Sequence, residues 1–365
     1  MFSVMLLSVT FLFSGSESAY LDRIDTLRDS KGLFLDRRSD PTTVSAAATG
    51  FGVLALAEGA SRGLRNREDT LEIARVAFER TVNANPKKNR GWLSHFTDNE
   101  GNPKPYSEVS TIDTAIFYFG MLRAAQLLNA PELEAQFRLS LSQIDTQFVL
   151  RDGYFLHGFH WTNQGTQLLT AAGGSRSSFV EESLQFIPYT WSDSSEGAIL
   201  YRLFDLPFQF QIRRTDYPLF VYAYPLCFYN DPIYETLLKE AIEAQISLYG
   251  YWGVTSTNGP QGYVILDRNV ISPVLIGGIA TKYPEYLEAL KSLVIQVSAV
   301  SMHLPSGWID NDDLTIDLAS AYILFSKFSR EAMAPHVAPV ATEVEAFKPE
   351  EQTDTPKDAV AAKAE

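Results

Sequence analysis

The chain has 365 residues, of which 45% are hydrophobic and 12% aromatic, and its formal net charge at pH 7 is −14. The apolar content is sufficient for a large core and excludes an intrinsically disordered chain. The excess of acidic residues argues against nucleic acid and anionic membrane surfaces as partners, because both are bound through Lys and Arg. The single cysteine, Cys227, can form neither an intrachain disulfide nor a thiolate metal site.

The first 19 residues predict a secretory signal peptide. An apolar run over residues 2–13 is followed by small residues that end at Ala19, a pattern typical of a signal and its cleavage region. The run is too short for a confident membrane span. No Lys or Arg precedes Arg23, so an apolar first helix packed on the fold is the alternative. We expect a secreted or periplasmic protein with no integral membrane span once the signal is removed.

Two kinds of helix alternate along residues 20–330. Apolar helices, such as 44–60 and 111–128, are followed by charged amphipathic ones, such as 66–83 and 131–150. This alternation is expected when an inner ring of helices is enclosed by an outer ring, because only the inner helices bury all their faces. We therefore predict one all-α domain over 20–330, an α/α toroid. A solenoid of stacked helix pairs is the alternative, which the absence of a fixed-period repeat disfavours.

Three segments depart from this alternation. Residues 153–169 predict a short hairpin on the loop face, with its turn at 158–161. Residues 206–230 predict an irregular segment, and residues 285–300 predict a helix. Residues 331–365 are rich in Ala, Pro and Glu and predict a disordered acidic tail.

Two acidic motifs stand at predicted starts of apolar helices. They are residues 107–114, SEVSTIDT, and residues 191–197, WSDSSEG. In each, a small polar residue or Asp precedes an acid by three positions, as in a capping box that only stabilises the helix start. In the catalytic alternative, carboxyl groups in unlike settings act as acid and base. Trp191 would then keep Glu196 protonated as the acid, Asp193 would cap the helix, and Asp113 or Glu108 would activate water.

The tryptophans indicate a carbohydrate ligand. All five, at positions 92, 161, 191, 252 and 308, lie in predicted loops or at loop ends. Sugar rings stack their C–H faces on aromatic platforms, although a loop tryptophan can also attach its loop to the core. The predicted substrate-binding residues are Asp36, Arg37, Trp92, His160, Trp161, Trp191, Asp193, Trp252 and Asn258. His157 and His160 lack a third ligand nearby, and no cofactor fingerprint occurs, so we expect neither a metal nor a cofactor.

Six segments carry a family pattern in their order along the chain. They are residues 32–37 (GLFLDR), 48–52 (ATGFG), 107–114 (SEVSTIDT), 191–197 (WSDSSEG), 218–220 (PLF) and 253–263 (GVTSTNGPQGY). Together they resemble the bacterial glycoamylase-like family, whose founding glucanases hydrolyse β-1,2-glucan and which is related to a domain of cyclic β-1,2-glucan synthases. The resemblance implies an (α/α)6 barrel and a carboxylate-based, inverting hydrolysis, with Glu196 and Asp113 at the family's acidic positions.

Two positions depart from the family pattern. Ser110 stands where some characterised glucanases carry a further acid, and Asn258 stands where the family usually has Asp. We predict a glycoside hydrolase acting on a β-glucan, with β-1,2-glucan favoured, and about 6.5–9.5 Å between the two working carboxyl groups if it inverts. The alternatives are a non-catalytic glycan-binding protein and a transglycosylase or lyase acting on a related glycan.

Overall fold

The fold is mostly helical, as the alternation of helix types predicted. The computed structural model describes residues 17–105, 107–151, 154–162, 165–169, 195–206, 218–264, 267–293, 295, 299–304 and 306–333. The chain divides into a large unit over residues 1–332 and a small one over residues 333–365. In the ranges described, no helix is both long and apolar enough to cross a membrane.

Ten α-helices run through the described ranges. They are α1 (Glu17–Asp25), α2 (Ala46–Ser61), α3 (Arg67–Ala84), α4 (Thr111–Leu127), α5 (Pro131–Leu141), α6 (Ser195–Leu203), α7 (Phe220–Phe228), α8 (Pro232–Tyr249), α9 (Pro273–Ala280) and α10 (Thr315–Met333). Short 3₁₀ segments lie at Lys87–Asn89, Thr146–Phe148 and Pro284–Leu290. The start of α2 is capped by the Ser45 side chain, and the starts of α3, α4, α8 and α9 are capped in the same way by Asn66, Ser110, Asp231 and Ser272.

The helices differ in burial in the way their sequences predicted. Every residue of α2 from 46 to 59 is buried, and all eight residues of α9 are buried. By contrast, α3 buries only Thr70, Ala74, Ala77 and Phe78, and α5 only Phe137. Helices of the first kind can form only inside a fold, because each of their faces must meet another element.

Short antiparallel strands connect the helix starts. They are β1 (Val44–Ser45), β2 (Leu93–Ser94), β3 (Phe96–Thr97), β4 (Val109–Ser110), β5 (Leu150–Arg151), β6 (Tyr154–Phe155), β7 (Gly158–Thr162), β8 (Gly165–Leu169), β9 (Thr257–Gly259), β10 (Gly262–Val264), β11 (Val270–Ile271), β12 (Ser301–His303) and β13 (Trp308–Asp310). One sheet has the order β2-β4-β7-β8 and another β11-β12-β13, while β1-β3, β5-β6 and β9-β10 form pairs.

The hairpin predicted over 153–169 is present, but its turn lies elsewhere. Strands β7 and β8 pair from Gly158 with Leu169 to Thr162 with Gly165. Residues 158–161 therefore form part of a strand, and the chain turns after Thr162. The alternation of Gly, aromatic and polar residues in this stretch is compatible with a strand as well as with a turn. Because β7 pairs with β4, the stretch forms a strand.

Two other sequence predictions were wrong. The segment 206–230 was predicted to be irregular but contains α7, in which Pro225 lies within the helix and is buried with its neighbours. Packing on all sides therefore outweighs the unfavourable propensity of an internal proline. The segment 285–300 contains only the 3₁₀ segment Pro284–Leu290 in its described part, and β12 begins at Ser301.

The structure describes only the last three residues of the predicted signal peptide, 17–19. Residues 1–16 and 334–365, which hold most of the predicted signal and tail, lie outside the described residues. Helix α1 begins within the predicted cleavage region: the Glu17 carboxylate lies 2.8 Å from the Arg62 guanidinium, and Arg65 donates to the Ser18 carbonyl at 2.9 Å. Cleavage after Ala19 would remove both contacts.

The two buried helices α2 and α4 approach each other at glycines. A Cβ atom added to Gly120 would lie 2.2 Å from the carbonyl oxygen of Gly50, and one added to Gly50 would lie 2.6 Å from the Cα of Phe117. These contacts are between backbones, so no side chain can move aside to relieve them. The glycines therefore set the distance between α2 and α4.

We expect Gly120→Ala to lower the free energy of unfolding by about 3 kcal/mol, because the added methyl group forces α2 and α4 apart. Gly63→Ala is the control, because Gly63 has a φ of +74° and nothing lies within 4 Å of a built Cβ. Its free energy of unfolding should fall by only about 1–2 kcal/mol, the cost of placing an alanine in the left-handed backbone region. Urea unfolding of both variants measures the difference. Equal losses would contradict the close approach of the helices.

Candidate active site

The start of α4 is joined to the start of α2 by the main chain of His95. The His95 amide donates to the Glu108 carbonyl at 2.9 Å, and the His95 carbonyl accepts from the Ala46 amide at 3.1 Å. A further hydrogen bond runs from the Leu93 amide to the Thr114 hydroxyl at 2.9 Å. The segment 93–97 thus fixes both helix starts side by side and places the His95 side chain between them.

The imidazole of His95 lies between two carboxylates. Its Nδ1 is 2.7 Å from Glu108 Oε1, and its Nε2 is 3.4 Å from Asp113 Oδ1. The second oxygen of Asp113 accepts a 2.5 Å hydrogen bond from the Ser110 hydroxyl. These side chains are mostly but not fully enclosed, with 27% of His95, 16% of Glu108 and 11% of Asp113 exposed. We call the three residues the Glu108–His95–Asp113 bridge.

The charges of the bridge stabilise one another. Burial alone would lower the pKa of His95, but the carboxylates of Asp113, Glu108 and Asp36 outweigh it and raise the pKa to about 9. Burial likewise opposes ionisation of Glu108, yet hydrogen bonding and charge from His157 and His95 hold its pKa well below the usual range. His157 Nε2 lies 3.7 Å from Glu108 Oε1. At neutral pH the bridge therefore contains an imidazolium and an ionised Glu108.

A second polar group lies around Arg37. The Arg37 guanidinium donates to Asp36 at 2.9 Å and to the Asn258 side-chain oxygen at 3.1 Å. Next to it, the Thr257 hydroxyl donates to Asp317 at 2.7 Å. The negative charge of Asp36 raises the pKa of both His95 and Asp317. Asp36 therefore interacts electrostatically with both the Glu108–His95–Asp113 bridge and the polar group around Arg37.

Asp317 is a carboxyl group that the fold favours in its protonated form. It is buried with only 5% of its surface exposed. Burial raises its pKa to about 7; Asp36 adds to this rise, while the Thr257 hydrogen bond and the charge of Arg37 oppose it. Sequence reasoning did not identify this residue. A pKa near neutral pH is common among the carboxyl groups that act as catalytic acids and bases.

A repeated tripeptide could have identified Asp317. The sequence Thr-Ile-Asp opens both α4, at residues 111–113, and α10, at residues 315–317. In each copy the Thr hydroxyl donates to a carbonyl of a neighbouring loop, Leu156 in one case and Leu35 in the other. In each copy the Asp also accepts a hydrogen bond from a hydroxyl group. The two aspartates therefore occupy equivalent positions at two buried helix starts.

Two predicted sugar platforms are corrected by the structure. Trp92 and Trp252 are completely buried, and their indole N–H groups donate at 2.9 Å to the carbonyls of Asp145 and Tyr286. An enclosed indole cannot stack on a sugar. Both residues instead attach loops to the core, which was the alternative considered for loop tryptophans.

The other predicted binding residues are dispersed. His160 and Trp161 lie on β7 and line a cleft of about 1000 Å³. The remaining lining residues are Lys88, Asn89, Ser94, Pro103, Lys104, Ser107, Val109 and Gln167. The Trp161 indole donates to Asn89 at 2.9 Å, and the Lys88 ammonium lies 5.3 Å from its ring centroid. The structure thus groups His160 with Trp161, and groups Asp36, Arg37 and Asn258 elsewhere.

The second acidic motif is only partly described. Trp191 and Asp193 lie outside the described residues, and Glu196 is the second residue of α6 with its side chain outside them. Helix α6 packs against α4, the helix that carries Asp113. Among the described residues, no group of three or more His, Cys, Asp or Glu side chains is arranged to hold a metal ion.

We expect Asp317→Asn to stabilise the protein at alkaline pH. The folded-state pKa of about 7 lies above the ordinary value of 3.8, so the free energy of unfolding of the wild type falls as the pH rises from about 4 to 7. The variant should be more stable by up to about 4 kcal/mol at pH 8, and this gain should shrink towards pH 4. Urea unfolding at both pH values measures it.

The control for this prediction is Asp22→Asn. The Asp22 side chain is 69% exposed, so its replacement should produce no comparable pH-dependent gain. An Asp317→Asn variant that is no more stable than the wild type at pH 8 would contradict the raised pKa.

Comparisons with known proteins place the fold. No protein-family model and no curated protein sequence matches the chain. Solved structures do match. A protein from Bacteroides uniformis, provisionally described as a glucoamylase, has 18% identity and a TM-score of 0.63, with 88% of this chain and 92% of that one covered.

Two further matching structures are enzymes with different activities. An endo-β-1,2-glucanase from Chitinophaga pinensis, in complex with sophorotriose and glucose, has 16% identity, a TM-score of 0.61, and 88% and 93% of the two chains covered. A cellobiose 2-epimerase from Bacillus thermoamylovorans has 13% identity, a TM-score of 0.50, and 86% and 99% covered. At these identities the likeness concerns the fold, and it confirms the resemblance read from the motifs. The chain has the fold of the glycoamylase-like glycoside hydrolases.

Proposed function

We propose that the protein is a glycoside hydrolase that cleaves a β-glucan, with β-1,2-glucan as the favoured substrate. The observation that carries the proposal is the pair of aspartates, Asp113 and Asp317, whose carboxyl groups are held by hydroxyl groups at the starts of α4 and α10, in a fold that a β-1,2-glucanase structure matches over 88% of this chain. Glycoside hydrolysis depends on enclosed carboxyl groups, because one must donate a proton while another acts as a carboxylate.

We further propose that the buried helices form the inner ring of an (α/α)6 toroid. This is supported by main-chain hydrogen bonds between the starts of three of these helices and loops distant in sequence. The Ala46 amide at the start of α2 bonds to His95, the Thr315 amide at the start of α10 bonds to Asp36, and the Leu219 amide just before α7 bonds to Val254. In such a ring the starts of the inner helices face a common concave site, and the β7–β8 hairpin decorates the same face.

Asp113 is the better candidate for the base, and Glu196 keeps the role of the acid. The pKa of Glu108 is held so low by His157 and His95 that its carboxylate is a weak proton acceptor. Asp113 has one oxygen bound by Ser110 and faces His95 with the other at the looser distance of 3.4 Å. We therefore propose that Glu196 protonates the leaving oxygen, Asp113 activates water, and Glu108 holds His95.

The departures from the family pattern acquire a physical meaning in this scheme. Ser110 donates to Asp113 where another family member would place a second acid, so it orients the carboxylate without adding charge. Asn258 accepts from Arg37 through a neutral amide, and among the described residues the carboxylate paired with that guanidinium is Asp36. We propose that Asp36, Arg37 and Asn258 contact substrate hydroxyls, as charged and amide groups do in sugar sites.

The test is hydrolysis of defined β-1,2-, β-1,3-, β-1,4- and β-1,6-glucans, followed by two variants. Glu196→Gln and Asp113→Asn should each lower kcat by about 100- to 10,000-fold, since each removes a proton-transfer group. Glu240→Gln, which changes an exposed glutamate of α8, should leave kcat unchanged. The anomer of the fresh product, read by NMR, should be inverted.

Each alternative has its own outcome in this experiment. Binding of glucan without release of reducing sugar would favour the non-catalytic glycan-binding protein. Products longer than the substrate would indicate a transglycosylase, and unsaturated products would indicate a lyase. A changed sugar at the reducing end would indicate an epimerase. Full activity of Glu196→Gln would remove Glu196 from the mechanism. If Asp317→Asn were then inactive, the acid role would pass to Asp317, whose pKa of about 7 suits it.

We also propose that the protein is secreted or periplasmic. The support is the apolar run over residues 2–13 and the small residues that end at Ala19. Expression of the full chain in a bacterial host should yield an exported protein whose N-terminal sequence begins near Tyr20. A protein that stays in the cytoplasm with residues 1–19 intact would support the packed first helix instead.

A further inference from the structure

His95 occupies a place in the site that the proposed chemistry does not yet explain. It carries neither of the two proton-transfer roles, yet both of its ring nitrogens face carboxylates, Glu108 at 2.7 Å and Asp113 at 3.4 Å. A neutral imidazole has one N–H donor and one nitrogen acceptor. With carboxylate oxygens on both sides, the acceptor nitrogen would face a negative charge. The geometry therefore favours the doubly protonated ring.

The ring has little freedom to leave this position. The amide and the carbonyl of His95 are both engaged, with Glu108 and Ala46 respectively. One face of the imidazole stacks on Phe96, with 3.7 Å between the ring centroids and 21° between the planes. Since the main chain and the ring are both held, Nδ1 is directed at the Glu108 carboxylate, which accepts its hydrogen bond, and Nε2 is directed at Asp113, with which it forms an ion pair at 3.4 Å.

We propose that His95 is a positioning residue: as an imidazolium it fixes the orientation of the Asp113 carboxylate against Glu108, and hydrolysis by the mechanism proposed above depends on that charge. The inference rests on the proposed function, because Asp113 is the base of that mechanism. His95 itself touches no reacting atom in this scheme. It acts through Asp113, whose other oxygen is held by Ser110.

The charged groups around His95 agree with this role. Asp113 faces it from α4, Glu108 from the segment before β4, and Asp36 from the loop after α1; all three raise its pKa, which reaches about 9 against the opposing effect of burial. His157 Nε2 lies 3.7 Å from the same Glu108 oxygen that His95 contacts. The raised pKa stabilises the fold most at low pH, and this stabilisation is lost as the pH rises from about 6.5 through 9.

The test uses two uncharged replacements that keep part of the hydrogen bonding. In His95→Asn the amide nitrogen replaces Nδ1 and can still donate to Glu108; in His95→Gln it replaces Nε2 and faces Asp113 without a charge. We expect kcat to fall about 10- to 100-fold in both, as for the loss of a charge-assisted hydrogen bond, while KM changes less than about threefold. The melting temperature at pH 6 identifies any variant that is merely unfolded.

A second measurement does not depend on activity. NMR titration of the full-length protein with ¹³C-labelled histidine should show His95 titrating near pH 9, and markedly lower in Asp113→Asn and Glu108→Gln. His303→Asn is the control, since His303 bonds Ser306 on an exposed surface; it should change neither kcat nor the His95 titration. Titration of His95 near its ordinary value of 6.5, or full kcat in both His95 variants, would overturn the proposal.

The two arms separate the failure of this inference from the failure of the proposed function. If the wild type hydrolyses none of the glucans, the proposed function fails and the positioning role of His95 fails with it, while the titration still decides whether the charged bridge exists. If the wild type is active and the titration is near 9 but kcat survives in both variants, the bridge is only structural and the positioning role is overturned.

Discussion

The site depends on the short segment that carries His95 between two buried helix starts. Its main-chain hydrogen bonds join the beginnings of α2 and α4, and its ring joins Glu108 to Asp113. Behind it, Gly50 and Gly120 bring the helix backbones into direct contact. Because the helices are held so closely, the carboxylates at their starts have fixed positions, as catalytic groups require.

The electrostatic asymmetry of the site follows from the neighbours of each carboxyl group. Glu108 meets two histidines and stays ionised over the whole physiological pH range, whereas Asp317 meets one hydroxyl group in an enclosed setting and retains its proton to about pH 7. Chemically identical groups are thus separated in acidity by their partners and their burial. Keeping Asp317 buried lowers the stability as the pH rises from about 4 to 7, which is the kind of cost that functional sites often carry.

The aromatic residues have more than one task. Trp92 and Trp252 are buried with their N–H groups bound to loop carbonyls, and they fix loops on the core. Trp161 is only half-buried and lines a cleft with His160. A tryptophan in a loop is therefore not by itself a sign of a sugar platform, because a loop that must be held in place needs a large apolar side chain as much as a ligand does.

The sequence by itself determined the helix types, the helix starts and the family resemblance. Apolar periodicity decides which helices have no exposed face, and capping residues such as Asn66 and Ser110 mark where helices begin, because both are local properties. The sequence also indicated Asp113 and Glu108, which stand next to a helix start. It did not indicate α7, whose internal Pro225 is tolerated only because packing surrounds it.

Only the tertiary structure decided the chemistry of the site. His95, Glu108 and Asp113 come together because strands β2 and β4 pair, and Asp317 meets Thr257 across 60 residues of chain. The exposure of each tryptophan and the pKa of each carboxyl group likewise depend on neighbours distant in sequence. Burial and charge act through space, so their effects on a residue type cannot be read from its place in the chain.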